Sequence, residues 1–467
     1  FCRREPNANW TKPEFVKEIP IFHFDQEGGS DSTEWVGVAL RNFIHMDMSQ
    51  DKYIDPWRSQ AEGELDKINV AKPANGAYFI DGSYQILENS IFEIKPKLRD
   101  KRNGKVHAQK TFQSKNFFGL IDSINLYLRR EIGITPTQME QSIDLDFQDY
   151  ATNNLEALRY HVLGRMTGGN SINYTRAIQL DSTFVFPMID HATWGSNSPR
   201  GLLETKHRIA QAMRHRKRLP YSMQIYTLLV NYQINREWEK AEKLIQLQLE
   251  LAPNNPATFQ LAIAFYKNTG QLEKEYTLYE EFYAQFPTVK NQISLLKLTL
   301  RMGELEKVEK ETKELLEAYP LQLSLLELLA LTYIHQQEFI SARSIIEQII
   351  VIDPDQEQHF SPLMAAIDYM QANPNYLGQL SNYAGDFRLQ GSEGLAQFRT
   401  SNQGVYLRAF GGEGGYMFPL GPDIIVHSSL GITGSITYLR NDQGEIYGIK
   451  LAYGKNNSQG INTNPIN

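Results

Sequence analysis

The chain has 467 residues, 41% of them hydrophobic, a formal net charge of -7 and a single cysteine. Its length suggests about three domains, and the apolar fraction suffices for packed cores, which excludes a disordered protein. The charge argues against a nucleic-acid binder, no apolar run reaches the roughly 18 residues of a membrane span, and one cysteine excludes an internal disulfide or a cysteine-based zinc site. The chain opens Phe1-Cys2-Arg3-Arg4 with no initiator methionine. Residues 1–17 therefore read as a linker to an upstream part, with three alternatives. Phe1-Cys2 ends a membrane helix and Arg3-Arg4 form its polar flank; or Cys2 is lipidated, against which Phe1 speaks; or the start is arbitrary.

Residues 18–135 read as mixed α/β. Ile19-Pro20-Ile21-Phe22-His23-Phe24 is a short apolar strand. Trp35, Val38, Ala39, Phe43 and Ile44 then recur at helical spacing. Ala77 to Tyr84 begins a hairpin, and Ile91 to Leu98 alternates as a half-buried strand does. Pro96 within it predicts a sheet edge, because proline donates nothing to a ladder. Asn103-Gly104 is a turn, Val106 to Phe112 a further strand, and Phe117 to Ile132 a helix with one apolar stripe. The strand Ile19–Phe24, the strand Ala77–Tyr84, the turn Arg99–Val106 and the closing helix resemble, in order, the TolB-like domain that precedes helical repeats in bacterial cyclases, kinases and transcription regulators. Pro96 and His107-Ala108, where that family has Leu-Trp, depart from the pattern.

Residues 150–375 carry an internal period. Pro220, Pro253, Pro287, Pro320 and Pro354 fall 33 or 34 residues apart. Tyr232, Tyr266 and Tyr333 recur at one place, Ala241 and Ala342 at another, and Gly270 and Gly303 both lie 17 residues before a closing proline. The spacing resembles that of the tetratricopeptide repeat (TPR), a helix pair stacked into an α-solenoid. Glu275 and Val308 stand at the small-residue position of two units. An earlier unit opens at Asn154, a helix cap, and ends near Asp181; Phe360 to Met370 reads as the terminal capping helix.

Residues 371–383 read as a linker and 383–455 as glycine-rich β structure, with strands around Phe387, Phe398, Tyr406, Ile425, Ile436 and Ile449. Short strands at close spacing predict a meander or a small antiparallel barrel. The run Ile436-Thr437-Tyr438-Leu439-Arg440-Asn441-Asp442 and the preceding Phe418-Pro419-Leu420 resemble the lipocalin-like domain appended to β-lactamase-like peptidases, an accessory module there. The polar segment 456–467 reads as a disordered tail.

No catalytic signature stands out: there is no G-x-S-x-G elbow, phosphate-binding loop or H-E-x-x-H helix. Gly411 to Gly415 lies between strands and reads as a flexible hairpin. His23 with Asp25 reads as a surface contact. The basic concentration from His207 to Arg218 is either an anion or acidic-partner site, or helix-end cations that complement the dipole; in the resemblance it is a structural link. The aromatics of the period are mostly core, with some lining a groove where a peptide could lie.

The expected fold class is thus multidomain α+β: a TolB-like α/β domain, a TPR α-solenoid and a small antiparallel β-barrel. The expected function is a non-enzymatic interaction or sensory region binding a protein or peptide, with no cofactor, no metal and no nucleic acid. Candidate partner-binding residues are Tyr232, Tyr266, Tyr276, Tyr279, Tyr283, Tyr333, Arg214, Arg216 and Arg218. The resemblance implies a bacterial signalling protein, extracytoplasmic and held to the membrane by an upstream segment; a cytoplasmic place is the alternative. Two other readings are a structural adaptor of the cell envelope and a small-ligand binder using the barrel mouth.

Overall fold

The first strand shows why the sequence settles as a sheet with two covered faces. In β1 (Lys17–Gln26) Ile19, Ile21, Phe22 and Phe24 are all buried. Alternation puts Phe22 on the opposite face from Ile19 and Ile21, and the register slip between Ile21 and Phe24 returns Phe24 to their face. The computed structural model describes residues 16–28, 33–59, 61, 63–72, 74, 76–142, 144–167, 171–195, 199–251, 253, 256–376, 383, 385–389, 395–401, 404–409, 412–429, 432–453 and 456–465. Cys2, nearly all of the expected amino-terminal linker, Gly411, and 377–382 of the second linker lie outside these residues. The described fold is mixed α+β: an amino-terminal sheet, a long central run of helices and a carboxy-terminal antiparallel sheet.

The amino-terminal sheet has the order β2-β1-β3-β4-β5, with β6 on β4. β2 is Ile54–Arg58, β3 Tyr78–Leu87, β4 Ile91–Asp100, β5 Val106–Gln109 and β6 Phe112–Ser114. β1 runs parallel to β2 and β3; the remaining pairs are antiparallel. Helices α1 (Trp35–Met48) and α3 (Phe117–Ile132) cover one face, and α2 (Glu64–Ala71) brings Ala71 and Ile68 to Phe22 and Phe79 on the other. Gly37 lets α1 lie against β1, since a Cβ there would meet the Phe24 carbonyl oxygen at 2.6 Å. Pro96 does not mark an edge. β4 is flanked on both sides, and Pro96 falls in the gap between β5 and β6, where no outer ladder bond needs its missing N–H.

Short helices α4 (Pro136–Glu140) and α5 (Phe147–Tyr150) lead to α6 (Leu155–Met166), α7 (Ser171–Leu180), α8 (Val185–Gly195) and α9 (Pro199–His215). Asn154 caps α6 by accepting from the Ala157 N–H at 3.1 Å. Four helix pairs follow: α10 (Tyr221–Ile234) with α11 (Trp238–Leu251), α12 (Pro256–Thr269) with α13 (Leu272–Gln285), α14 (Val289–Met302) with α15 (Leu305–Ala318), and α16 (Leu323–His335) with α17 (Phe339–Ile352). α18 (Glu357–Ala372) ends the run. Among the described residues no helix is long and apolar enough to cross a membrane.

Two compact units are distinguished. One comprises 1–196, 200–265 and 281–290; the other comprises 197–199, 266–280 and 291–467. In the first, a single apolar core runs from the sheet through α1 and α3 to Phe147, Leu158, Phe184 and Ile209. In the second, α18 turns Phe360, Leu363, Ile367 and Met370 into a core shared with Ala342 and Ile346 of α17 and with Phe418, Ile425 and Ile436 of the β strands.

Those strands are β7 (Gly385–Leu389), β8 (Leu395–Ser401), β9 (Gly404–Ala409), β10 (Gly412–Gly421), β11 (Ile424–Ser429), β12 (Ile432–Arg440), β13 (Ile446–Tyr453) and β14 (Asn456–Pro465). Consecutive strands pair antiparallel from β7 to β14. Two readings of the sequence are corrected here. Gly412, Gly414 and Gly415 belong to a strand, with Gly412 opposite Ala409, not to a free hairpin. The segment expected as a disordered tail forms β14, which pairs with β13 and β7. Main-chain ladder bonds are indifferent to side-chain polarity, and they cover edges that would otherwise be open.

Candidate functional site

The helix pairs repeat in geometry as well as in length. Each inter-helix turn holds one residue in the left-handed region: Arg236 (φ 60), Gly270 (φ 71), Gly303 (φ 90) and Gln337 (φ 64). These positions are 34, 33 and 34 residues apart. In each turn the next N–H returns to a carbonyl five residues back: Glu237 to Tyr232 (2.8 Å), Gln271 to Tyr266 (3.0 Å), Glu304 to Thr299 (3.2 Å) and Glu338 to Tyr333 (2.8 Å). This closes the carbonyls that a helix end leaves open, in the Schellman manner. Glycine adopts this conformation freely, and Arg236 and Gln337 do so at some strain.

The turn then fixes which side chains meet. Five residues after each left-handed residue, Ala241, Glu275, Val308 and Ala342 are all buried. Glu275 occupies this crowded place with its carboxylate 3.3 Å from Arg301 of α14. The neighbouring pairs are linked alike: Gln336 of α16 donates to Glu309 of α15 at 2.8 Å, and Arg343 of α17 donates to Asp368 of α18. Lys297 on α14 reaches the buried Glu327 of α16 at 3.3 Å.

The candidate residues differ in exposure. Tyr266 and Tyr333 are buried, at 7% and 8% exposure, so their rings serve the helix-pair cores. Lys240, Lys274 and Lys313 sit over the rings of Tyr232, Tyr266 and Tyr333 at 5.9, 5.5 and 5.5 Å. Tyr276, Tyr279 and Tyr283 are half-buried on α13, at the i, i+3, i+7 spacing of one helix stripe, and Lys307 donates to the Tyr276 hydroxyl at 3.4 Å. Arg214 is exposed. Arg216 lies 3.6 Å from the Met213 sulfur. Arg218 is a pin: it donates to the Asp149 carbonyl at 3.0 and 3.2 Å and to the Thr183 hydroxyl.

Sequence reasoning missed the buried charges of the first unit, because their partners are distant in the chain. Arg129 lies on the apolar face of α3, 2% exposed. It donates to Asp144 at 2.6 Å and to the Asp47 carbonyl at 3.0 Å, with the Asp47 and Asp51 carboxylates at 3.7 and 3.9 Å. The Tyr150 hydroxyl donates to Asp47 at 3.4 Å. A second pair, His161 and Asp190 at 2.8 Å, joins α6 to α8, with burial holding the imidazole neutral against the pull of the carboxylate. Among the described residues no group of three potential ligands could hold a metal ion.

Burial pushes the Asp47 carboxyl from 3.8 up to about 7, although Arg129 opposes the shift. The sign follows directly. Between pH 5 and 8 the native state must release a proton that the unfolded chain has already lost, so stability falls as pH rises. Wild-type protein is expected to lose about 2–3 kcal/mol through this group over that window. Asp47→Asn should abolish that part of the slope in urea denaturation at the two pH values; an unchanged slope would refute the assignment.

No protein-family model matches the chain, and a search of curated proteins returns no match.

Proposed function

We propose that this chain is a non-enzymatic protein-interaction and sensory region, in which TPR-type helix pairs bind a peptide or protein segment beside a TolB-like domain. The observation that carries the reading is the recurrence of the left-handed turn at Arg236, Gly270, Gly303 and Gln337, each closed by the same hydrogen bond. A period of this kind builds a surface from equivalent helix faces and leaves specificity to the side chains on them. The half-buried stripe of Tyr276 and Tyr279 supplies rings suited to such contacts. The carboxy-terminal strands are proposed to form a small lipocalin-like barrel, a reading supported by β9 pairing with β10 and β14 with β7. Placement outside the cytoplasm and an upstream membrane anchor, as in bacterial signalling proteins, rest on the family resemblance alone.

Selection of peptides from a random display library on the full chain should converge on a shared motif. Tyr279→Ala should then weaken the selected peptide about tenfold or more, as loss of a central aromatic does at other interfaces. A selection that does not converge, or a variant that binds as well as wild type, overturns the proposal.

A further inference from the structure

Four cations from four distant parts of the first unit lie within electrostatic reach of one another or of His45. α1 supplies Arg41, β2 supplies Arg58, α6 supplies Arg165 and the start of α14 supplies Lys290. Each acts electrically on at least one of the others or on His45 of α1, which lies among them. Burial, then Arg58, Lys290 and Arg165, drives the His45 imidazole down to about 3, so it stays neutral. Burial, then Arg165 and Arg41, lowers the Arg58 guanidinium to about 10. Asp190 is the carboxylate that acts on Arg58, and it is already engaged by His161 at 2.8 Å and by Arg165 at 3.6 Å.

The internal contacts do not exhaust these groups. Arg58 donates to the Asn42 side chain at 2.8 Å, and Arg41 to the Ser59 carbonyl at 3.2 Å. Yet Arg41 Nε, Trp57 Nε1 and His45 Nδ1 are buried with no hydrogen-bond partner among the described residues. Lys290 Nζ stands 5.4 Å from the centroid of the Trp57 ring. Arg58 is exposed to solvent and still strongly desolvated, and Tyr226 on α10 combines 37% exposure with a hydroxyl raised by burial. If these cations served only structure, each would carry its own carboxylate; here Asp190 acts on Arg58 and Arg165, while Arg41 is set against the Arg165 charge.

We propose that Arg41, Arg58, Arg165, Lys290, Trp57 and Tyr226 together form a site that binds a small oxyanion-bearing ligand, a phosphate or carboxylate. Guanidinium forks match either group in two-point contact, and the lysine adds a point charge. The Trp57 indole N–H and Arg41 Nε offer two further donors. The site is independent of peptide binding by the helix pairs, so either proposal can fail alone.

The test is equilibrium dialysis of the full chain with labelled inorganic phosphate, alongside thermal unfolding in phosphate, acetate or chloride at equal ionic strength. One saturable phosphate site per chain is expected, with a midpoint rise of about 2–4 °C at tenfold excess over half-saturation. Acetate giving the larger shift would assign the site to carboxylates. Arg58→Gln and Lys290→Gln should each raise the half-saturation concentration about tenfold, and neither should lower the midpoint in chloride, because each relieves like-charge repulsion. Arg343→Gln, in the second unit, should bind as wild type. Shifts that follow ionic strength alone, or binding undiminished in both variants, would overturn the proposal.

Discussion

Arg129→Met is expected to destabilise the protein by about 3–5 kcal/mol, the usual cost of removing one partner of a buried charge cluster. The methionine fills most of the volume on α3, so packing loss is small beside the electrostatic one. Asp47 and Asp51, 2% exposed each, would face one another without the guanidinium, and the donor to the Asp47 carbonyl would be gone. The arginine joins α1, α3 and the segment around Asp144, so its loss should loosen elements far apart in sequence. Chemical denaturation at pH 7 measures the cost. Adding Asp47→Asn to Arg129→Met should recover part of it, because the amide, unlike the carboxyl, takes up no proton on folding at pH 7. A loss below about 1 kcal/mol, or no recovery in the double variant, would mean that water compensates these carboxylates.

Leu363→Ala in α18 should cost about 2–5 kcal/mol in the second unit. Leu363 is fully buried in a core that also holds Phe360, Ile367 and Met370 of its own helix, Ile346 of α17, and Phe418 and Ile425 of the sheet. Interiors at near-crystalline density close only partly over a deletion, so the cavity term adds to the lost transfer energy. Because helix and strands share this core, the far-ultraviolet helical signal and the near-ultraviolet aromatic signal should shift together along denaturant. Separate transitions, or a loss below about 1 kcal/mol, would show that α18 and the sheet do not unfold as one body.

Where the sequence was readable, the signal was local or periodic. Gly270 and Gly303 announced two of the four left-handed turns, because glycine is the residue that adopts that conformation without strain. The equivalent Arg236 and Gln337 were illegible as turn residues, although their spacing from the glycines implied them. Strand β2 was missed because Pro56 and Trp57 lie in a short segment without alternation; its parallel pairing with β1 holds it. Strand β14 was missed because it has few apolar residues, and strand pairing needs none.

By itself the sequence determined the class of each region. The 33- and 34-residue spacing set paired helices, alternating apolar residues set strands, and the apolar stripe of α3 set a core-facing helix, since each depends on neighbours within a few turns or strands. Only the tertiary structure decided which charges meet. Arg129 finds Asp47 across 82 positions, and Arg41, Arg58, Arg165 and Lys290 come within electrostatic reach of one another or of His45 from α1, β2, α6 and α14. Electrostatic energy depends on distance in space and on the water excluded between groups, and neither quantity is written in the order of residues.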